Sequence, residues 1–182
     1  MDVHECIRTR RSMRKFLPDP IPAEKLSRVL EAVRWAPSWT NQQPWEIVLV
    51  DDLEQKQKLQ QCVPESNPGR KAVVEAPLVL AVCGRLGKSG YYQGKASTVY
   101  GDWVMFDIGI ACQNLCLAAW AEGLGSLHLG LFDHQRAGEA LGLPAEVKVY
   151  ELIPLGFPAK ESQPPRRREI EDFTHRNYFG RK

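Results

Sequence analysis

A chain of 182 residues, 43% hydrophobic and 25% charged, has the composition of an ordinary soluble globular protein and suits one domain with a sizeable core. Its formal net charge of +2 is too slight to suggest general nucleic-acid or membrane-surface binding. The positive charge is instead concentrated near residues 8–15 and 166–168, a pattern that fits two local anion contacts. The five cysteines are odd in number and show no CxxC spacing, which disfavours a disulfide framework or zinc site and favours reduced core thiols. No apolar leader follows the first residues, and the most apolar window, Trp103 to Ala121, carries Asp107, Gln113 and Asn114. A soluble, cytoplasmic protein is expected.

Residues 2–8 read as a short helix with Val3, Cys6 and Ile7 on one face. The stretch Arg10-Arg11-Ser12-Met13-Arg14-Lys15-Phe16 then packs three guanidiniums, an ammonium and a hydroxyl into seven residues. Guanidinium forks match phosphate oxygens bidentately, and each charge-assisted hydrogen bond is worth roughly 1.5–3 kcal/mol. A solvated basic face or a nucleic-acid contact is the competing reading. After Pro18-Asp19-Pro20, Pro22 opens a helix whose stripe is Leu26, Val29, Leu30 and Val33; it runs to about Trp35 and stops at Pro37.

Residues 36–45 combine two tryptophans with Ser38, Thr40, Asn41, Gln42 and Gln43, side chains able to read a heterocycle edge or simply to build a turn. Ile47–Val50 reads as a strand, and Asp51 or Asp52 caps a helix through about Gln61. A polar loop over 64–71 leads to a buried strand from Pro77 to Cys83. The Gly84–Thr98 loop sets Gly87, Gly90 and Gly94 around Tyr91 and Tyr92 without a GxGxxG or Walker pattern, and reads as a flap over a pocket or a surface loop. The longest helix is expected from Thr98 to Glu122, apolar around most of its circumference and therefore central or in a subunit interface. Gly123 ends it; a strand over Leu127–Leu131, a helix from Asp133 to Leu141 and a strand over Val149–Leu155 follow. The tail carries Arg166-Arg167-Arg168 and the apolar residues Ile170, Phe173, Tyr178 and Phe179, which should lie along the protein or a partner subunit. His4, His128, His134 and His175 show no catalytic constellation and read as structural or solvent-facing.

Taken in order, Arg10–Arg14, Ala36–Trp45, Glu75-Ala76-Pro77, Asp107-Ile108-Gly109, Gln113-Asn114-Leu115, Ala121–Ser126, Leu143-Pro144 and Ile153–Gly156 resemble the nitroreductase family of flavin-dependent oxidoreductases. The resemblance covers nearly the whole chain. It implies an α+β sandwich, a mixed and mostly antiparallel sheet wrapped by helices, built as an intertwined homodimer with FMN at the subunit interface. Residues 1–182 would form a single domain, with 158–182 an extension packed on the partner. Arg10, Arg11, Ser12 and Arg14 match positions that hold the FMN phosphate and ring edge, Arg14 being the stronger candidate at the ring. Pro37, Ser38, Trp39 and Asn41 match the loop that meets the flavin from the other subunit. Leu129 and Gly130 match the approach to the flavin N5, and Arg167 and Arg168 are favoured among the tail arginines that complete the phosphate site. No side chain acts as catalytic acid or base and no metal takes part. NAD(P)H would serve as co-substrate and a nitroaromatic, quinone or similar acceptor would follow it in ping-pong turnover. The alternatives are a specialised flavoenzyme of the same fold (a dehalogenase, an ene-type reductase or a biosynthetic dehydrogenase) and a flavin-binding module without turnover. Trp39 departs from the small residue of many relatives, the Arg85–Val99 segment is short, and the Asn67–Lys71 loop carries no site claim.

Overall fold

The computed structural model describes residues 1–160 and 162–182. In chain order the elements are α1 (Val3–Thr9), α2 (Ala23–Arg34), β1 (Trp45–Val50), α3 (Leu53–Gln61), α4 (Ala72–Glu75), β2 (Leu78–Arg85), β3 (Tyr91–Tyr92), β4 (Lys95–Ala96), α5 (Val104–Ala121), β5 (Gly125–Ser126), α6 (His134–Ala140), β6 (Val147–Gly156) and α7 (Ile170–Phe173), with a 3-10 turn at Trp39–Asn41. Four strands form an antiparallel sheet in the order β1-β2-β6-β5, so the fold is α+β as the resemblance implied.

Strand β2 is buried along seven of its eight residues, as a Val/Leu run covered on both faces must be. Its side chains alternate. Leu78, Leu80 and Val82 join a core with α2 and α5, while Val79, Ala81 and Cys83 join the opposite core with α3, α4 and α6. Strand β6 changes phase midway. Glu151 pairs with Val82 and Val149 with Cys83, so Tyr150 is the extra residue of a bulge. Val147 and Val149 therefore share a core with Leu152, whereas Ile153 and Leu155 face α5.

Local chemistry fixes the helix ends. Asp52 and Asp133 cap α3 and α6 by accepting from Gln55 N at 2.8 Å and Arg136 N at 3.0 Å. Gly123 (φ +78°) ends α5, and Leu124 N closes on Ala119 O at 2.8 Å. Arg28 grips Glu122 with two bonds of 2.7 and 2.8 Å, joining α2 to the end of α5.

Two expectations need correction. Helix α5 begins at Val104 rather than Thr98, because Asp102 accepts from Val104 N and Gly87 N and holds the preceding residues in a turn. The strand expected over Leu127–Leu131 is reduced to a bridge between Leu129 and Leu152, and the paired strand β5 lies before it. Pro154 of β6 has no N–H to donate, so that ladder cannot run unbroken. The loop after Gly84 contains a hairpin, β3–β4, turned at Gln93 (φ 48°) and Gly94 (φ 76°), which suits a turn with two left-handed residues.

Candidate functional site

The basic segment is extended along the sheet margin. Met13 N donates to Ser126 O at 2.9 Å, Leu17 N to Phe157 O at 2.9 Å, and Ala159 N to Lys15 O at 3.1 Å. Met13 and Phe16 turn into the core, which leaves Ser12 half-buried and Arg14 exposed. The approach is close: a Cβ on Gly125 would lie 2.6 Å from Met13 Cγ.

A cavity of about 250 Å³ opens beside this segment, lined by Arg10, Arg11, Ser12, Arg14 and, from the tail, Ser162, Gln163, Pro165 and Arg167. Among the described residues, the buried Arg10 Nη1 has no hydrogen-bond partner. A buried charged donor left unpaired is costly, and the most economical account is an anion that completes it. Arg11 is otherwise engaged, because its Nη1 donates to Arg8 O at 2.7 Å and Arg10 O at 2.8 Å and so caps α1. Arg168 donates to Asp172 O and lies 5.8 Å from the Phe173 ring centre, and it does not line the cavity. The tail expectation therefore divides: Arg167 joins Arg10, and Arg168 turns toward α7.

Pro37, Ser38, Trp39 and Asn41 lie on a tightly wound loop elsewhere. Thr40, Asn41 and Gln43 all adopt left-handed backbone angles (φ 43°, 57° and 47°), a strain that Ser38 helps hold by accepting from Gln43 N at 2.8 Å. Asp107, 2% exposed, accepts from Trp39 N at 3.2 and 3.1 Å and from the Ser89 hydroxyl at 2.5 Å. Pro37 and Asn41 line a second cavity of about 360 Å³ with Arg34, Trp35, Ala36 and Gln43. The two cavities share no lining residue, so one chain does not gather both groups. Leu129 is in the core and Gly130 is exposed, its carbonyl lying 3.1 Å from His134 Nε2.

One constellation escaped the sequence. His128 Nδ1 lies 2.6 Å from Glu151 Oε1, and its Nε2 lies 3.3 Å from Cys116 Sγ. The bonds to Cys116 and Glu151 push the imidazole pKa up to about 10, so the ring is an imidazolium at neutral pH. No composition or spacing signal marks this trio, which forms because the Tyr150 bulge turns Glu151 toward α5. Among the described residues no His/Cys/Asp/Glu group could hold a metal ion.

The sequence profile described as the nitroreductase family matches residues 7–157. The NADH dehydrogenase of Thermus thermophilus is 32% identical, the match covering 94% of either chain. The FMN reductase [NAD(P)H] of Bacillus subtilis is 28% identical over 98% of this chain and 74% of its own. A solved structure titled FMN-dependent nitroreductase, from Clostridium difficile, superposes with a TM-score of 0.81 at 25% identity, covering 97% of this chain and 99% of that one. With its fold, its basic segment and its profile in agreement, the chain belongs to the nitroreductase family.

Proposed function

We propose that this protein is an FMN-dependent oxidoreductase that takes hydride from NAD(P)H and passes it to a nitroaromatic, quinone or similar acceptor by ping-pong turnover. The observation that carries the reading is Arg10, which lines a cavity with Arg14 and Arg167 and whose buried Nη1 has no hydrogen-bond partner among the described residues. Among the described residues, the charged side chains lining it are all cationic, and the set fits a phosphomonoester. The names and titles of the Bacillus and Clostridium proteins support the same cofactor.

FMN bound there would supply hydride acceptance and delivery, chemistry that no side chain of the chain provides. Arg10 and Arg167 would hold the phosphate, Ser12 would add a neutral donor, and Arg14 would bring positive charge toward the ring. The Pro37–Asn41 loop would close the site from a second subunit. Two observations support that arrangement: the loop and the basic segment line different cavities in one chain, and α5 leaves Met105 and Phe106 exposed at 66% and 60%.

Anaerobic addition of NADH or NADPH to the FMN-loaded protein tests the reading. The flavin absorbance should bleach and then return when a quinone is added. A bound flavin that neither nicotinamide bleaches would contradict turnover and leave a binding module.

A further inference from the structure

The sequence singles out Asp107, yet the proposed chemistry leaves it without a role. It sits in the first turn of α5, 2% exposed, and among the described residues it has no salt-bridge partner. A carboxylate so placed is expensive to bury unless neutral donors and the helix N-terminus stabilise it. Its donors come from two segments far apart in the chain. Trp39 N, at the start of the left-handed loop, donates to both oxygens, and the Ser89 hydroxyl donates to Oδ2 at 2.5 Å.

The second segment is the flap from Leu86 to Trp103. Ser89 is wholly buried, and its carbonyl accepts from Trp103 N at 3.1 Å, so the same residue anchors both ends of the flap. The Trp103 indole in turn packs against Trp39 with ring centres 5.2 Å apart. Gly90, at φ +81°, admits this arrangement, since a Cβ there would lie 2.6 Å from Trp103 Cδ1. Loop and flap thus meet twice, through the two indoles and through one buried anion.

We propose that Asp107 is a positioning residue of the candidate site: its single carboxylate locks the Trp39 loop and the Ser89–Trp103 flap in one register, and thereby sets where the Trp39 indole stands for an incoming acceptor. The acceptor half of this statement rests on the flavin reading above; the latch itself does not. Weakening the carboxylate frees the loop to relax its left-handed residues and frees the flap to swing. The phosphate end at Arg10 is on other elements and keeps its grip.

Hydrogen exchange measured by mass spectrometry on the FMN-loaded wild type, D107N and S89A, with steady-state kinetics on the same samples, tests the latch. Asn keeps one acceptor oxygen but loses the charge, so D107N should exchange roughly tenfold faster over both 38–43 and 86–103. The KM for a flat quinone should rise roughly tenfold while kcat changes by less than about threefold. S89A should speed exchange over 86–103 and leave 38–43 near wild type. Unchanged exchange in D107N, loosening of only one segment, or loosening with an unchanged quinone KM would each overturn the proposal. If D107N fails to fold, S89A decides: unchanged exchange over 86–103 overturns it. Exchange needs no flavin, so a wild type that takes up no FMN defeats the flavin reading while the exchange comparison still judges the latch.

Discussion

Arg10 and Arg167 line one cavity of about 250 Å³, although they come from opposite ends of the chain. Arg10 caps the end of α1, its N–H donating to Cys6 O at 2.9 Å, and leads directly into the extended segment pinned at Met13, Lys15 and Leu17. Arg167 arrives on the tail, whose residues are exposed, and its neighbour Arg168 spends its charge on Asp172 and Phe173.

That division predicts unequal losses of flavin. Arg10→Ala should weaken FMN binding by roughly ten- to a hundredfold, the worth of one charge-assisted hydrogen bond. Arg167→Ala should fall in the lower part of that range, and Arg168→Ala should bind as wild type. Quenching of flavin fluorescence in a titration of apoprotein reads all three. Equal losses for Arg167 and Arg168 would contradict the assignment of the tail.

The imidazolium of His128 makes stability depend on pH in a fixed direction. The unfolded chain loses this proton near pH 6.5, whereas the folded protein keeps it to about 10 because Cys116 and Glu151 hold it. Between those values the folded state binds more protons, so the contribution is complete below about pH 6.5 and fades as pH rises toward 10. His128→Ala should lose about 1.5–3 kcal/mol at pH 7 and progressively less toward pH 10. Urea unfolding of both proteins across that range measures the difference, and a gap that grows with pH would refute the sign.

A tight approach of backbone to ring predicts the effect of one methyl group. A Cβ at position 156 would lie 2.5 Å from Pro77 Cδ and 2.8 Å from its Cγ, and the pyrrolidine ring cannot rotate away. Gly156→Ala should therefore destabilise the protein by about 1–3 kcal/mol through overpacking. Denaturant midpoints compare the two; equal stability would mean that β6 yields more easily than this packing implies.

What the residues disclose in advance is what local chemistry determines. Asp133 and Gly123 bound their helices through contacts a few positions away, and the Val/Leu run of β2 must be buried whatever surrounds it. The basic segment is readable because guanidiniums so close in sequence come to line the same cavity. The bulge at Tyr150 leaves no such trace, so the phase of β6 and the meeting of Glu151 with His128 emerge only in the folded sheet. The same holds for Arg11, whose chemistry suggests a ligand contact but whose nearest acceptors are the carbonyls at the end of α1. Asp107 is similar: an acidic residue inside an apolar helix disfavours a membrane span, but its partners lie on two loops that sequence spacing does not connect.

Riboflavin shares the ring of FMN and lacks its phosphate, so a paired titration isolates the grip that the Arg10 cavity exerts. If Arg10, Ser12 and Arg167 hold a phosphate, apoprotein should bind FMN at least roughly a hundredfold more tightly than riboflavin, from two charge-assisted bonds of about 1.5–3 kcal/mol each. Equal affinities for the two flavins would contradict it.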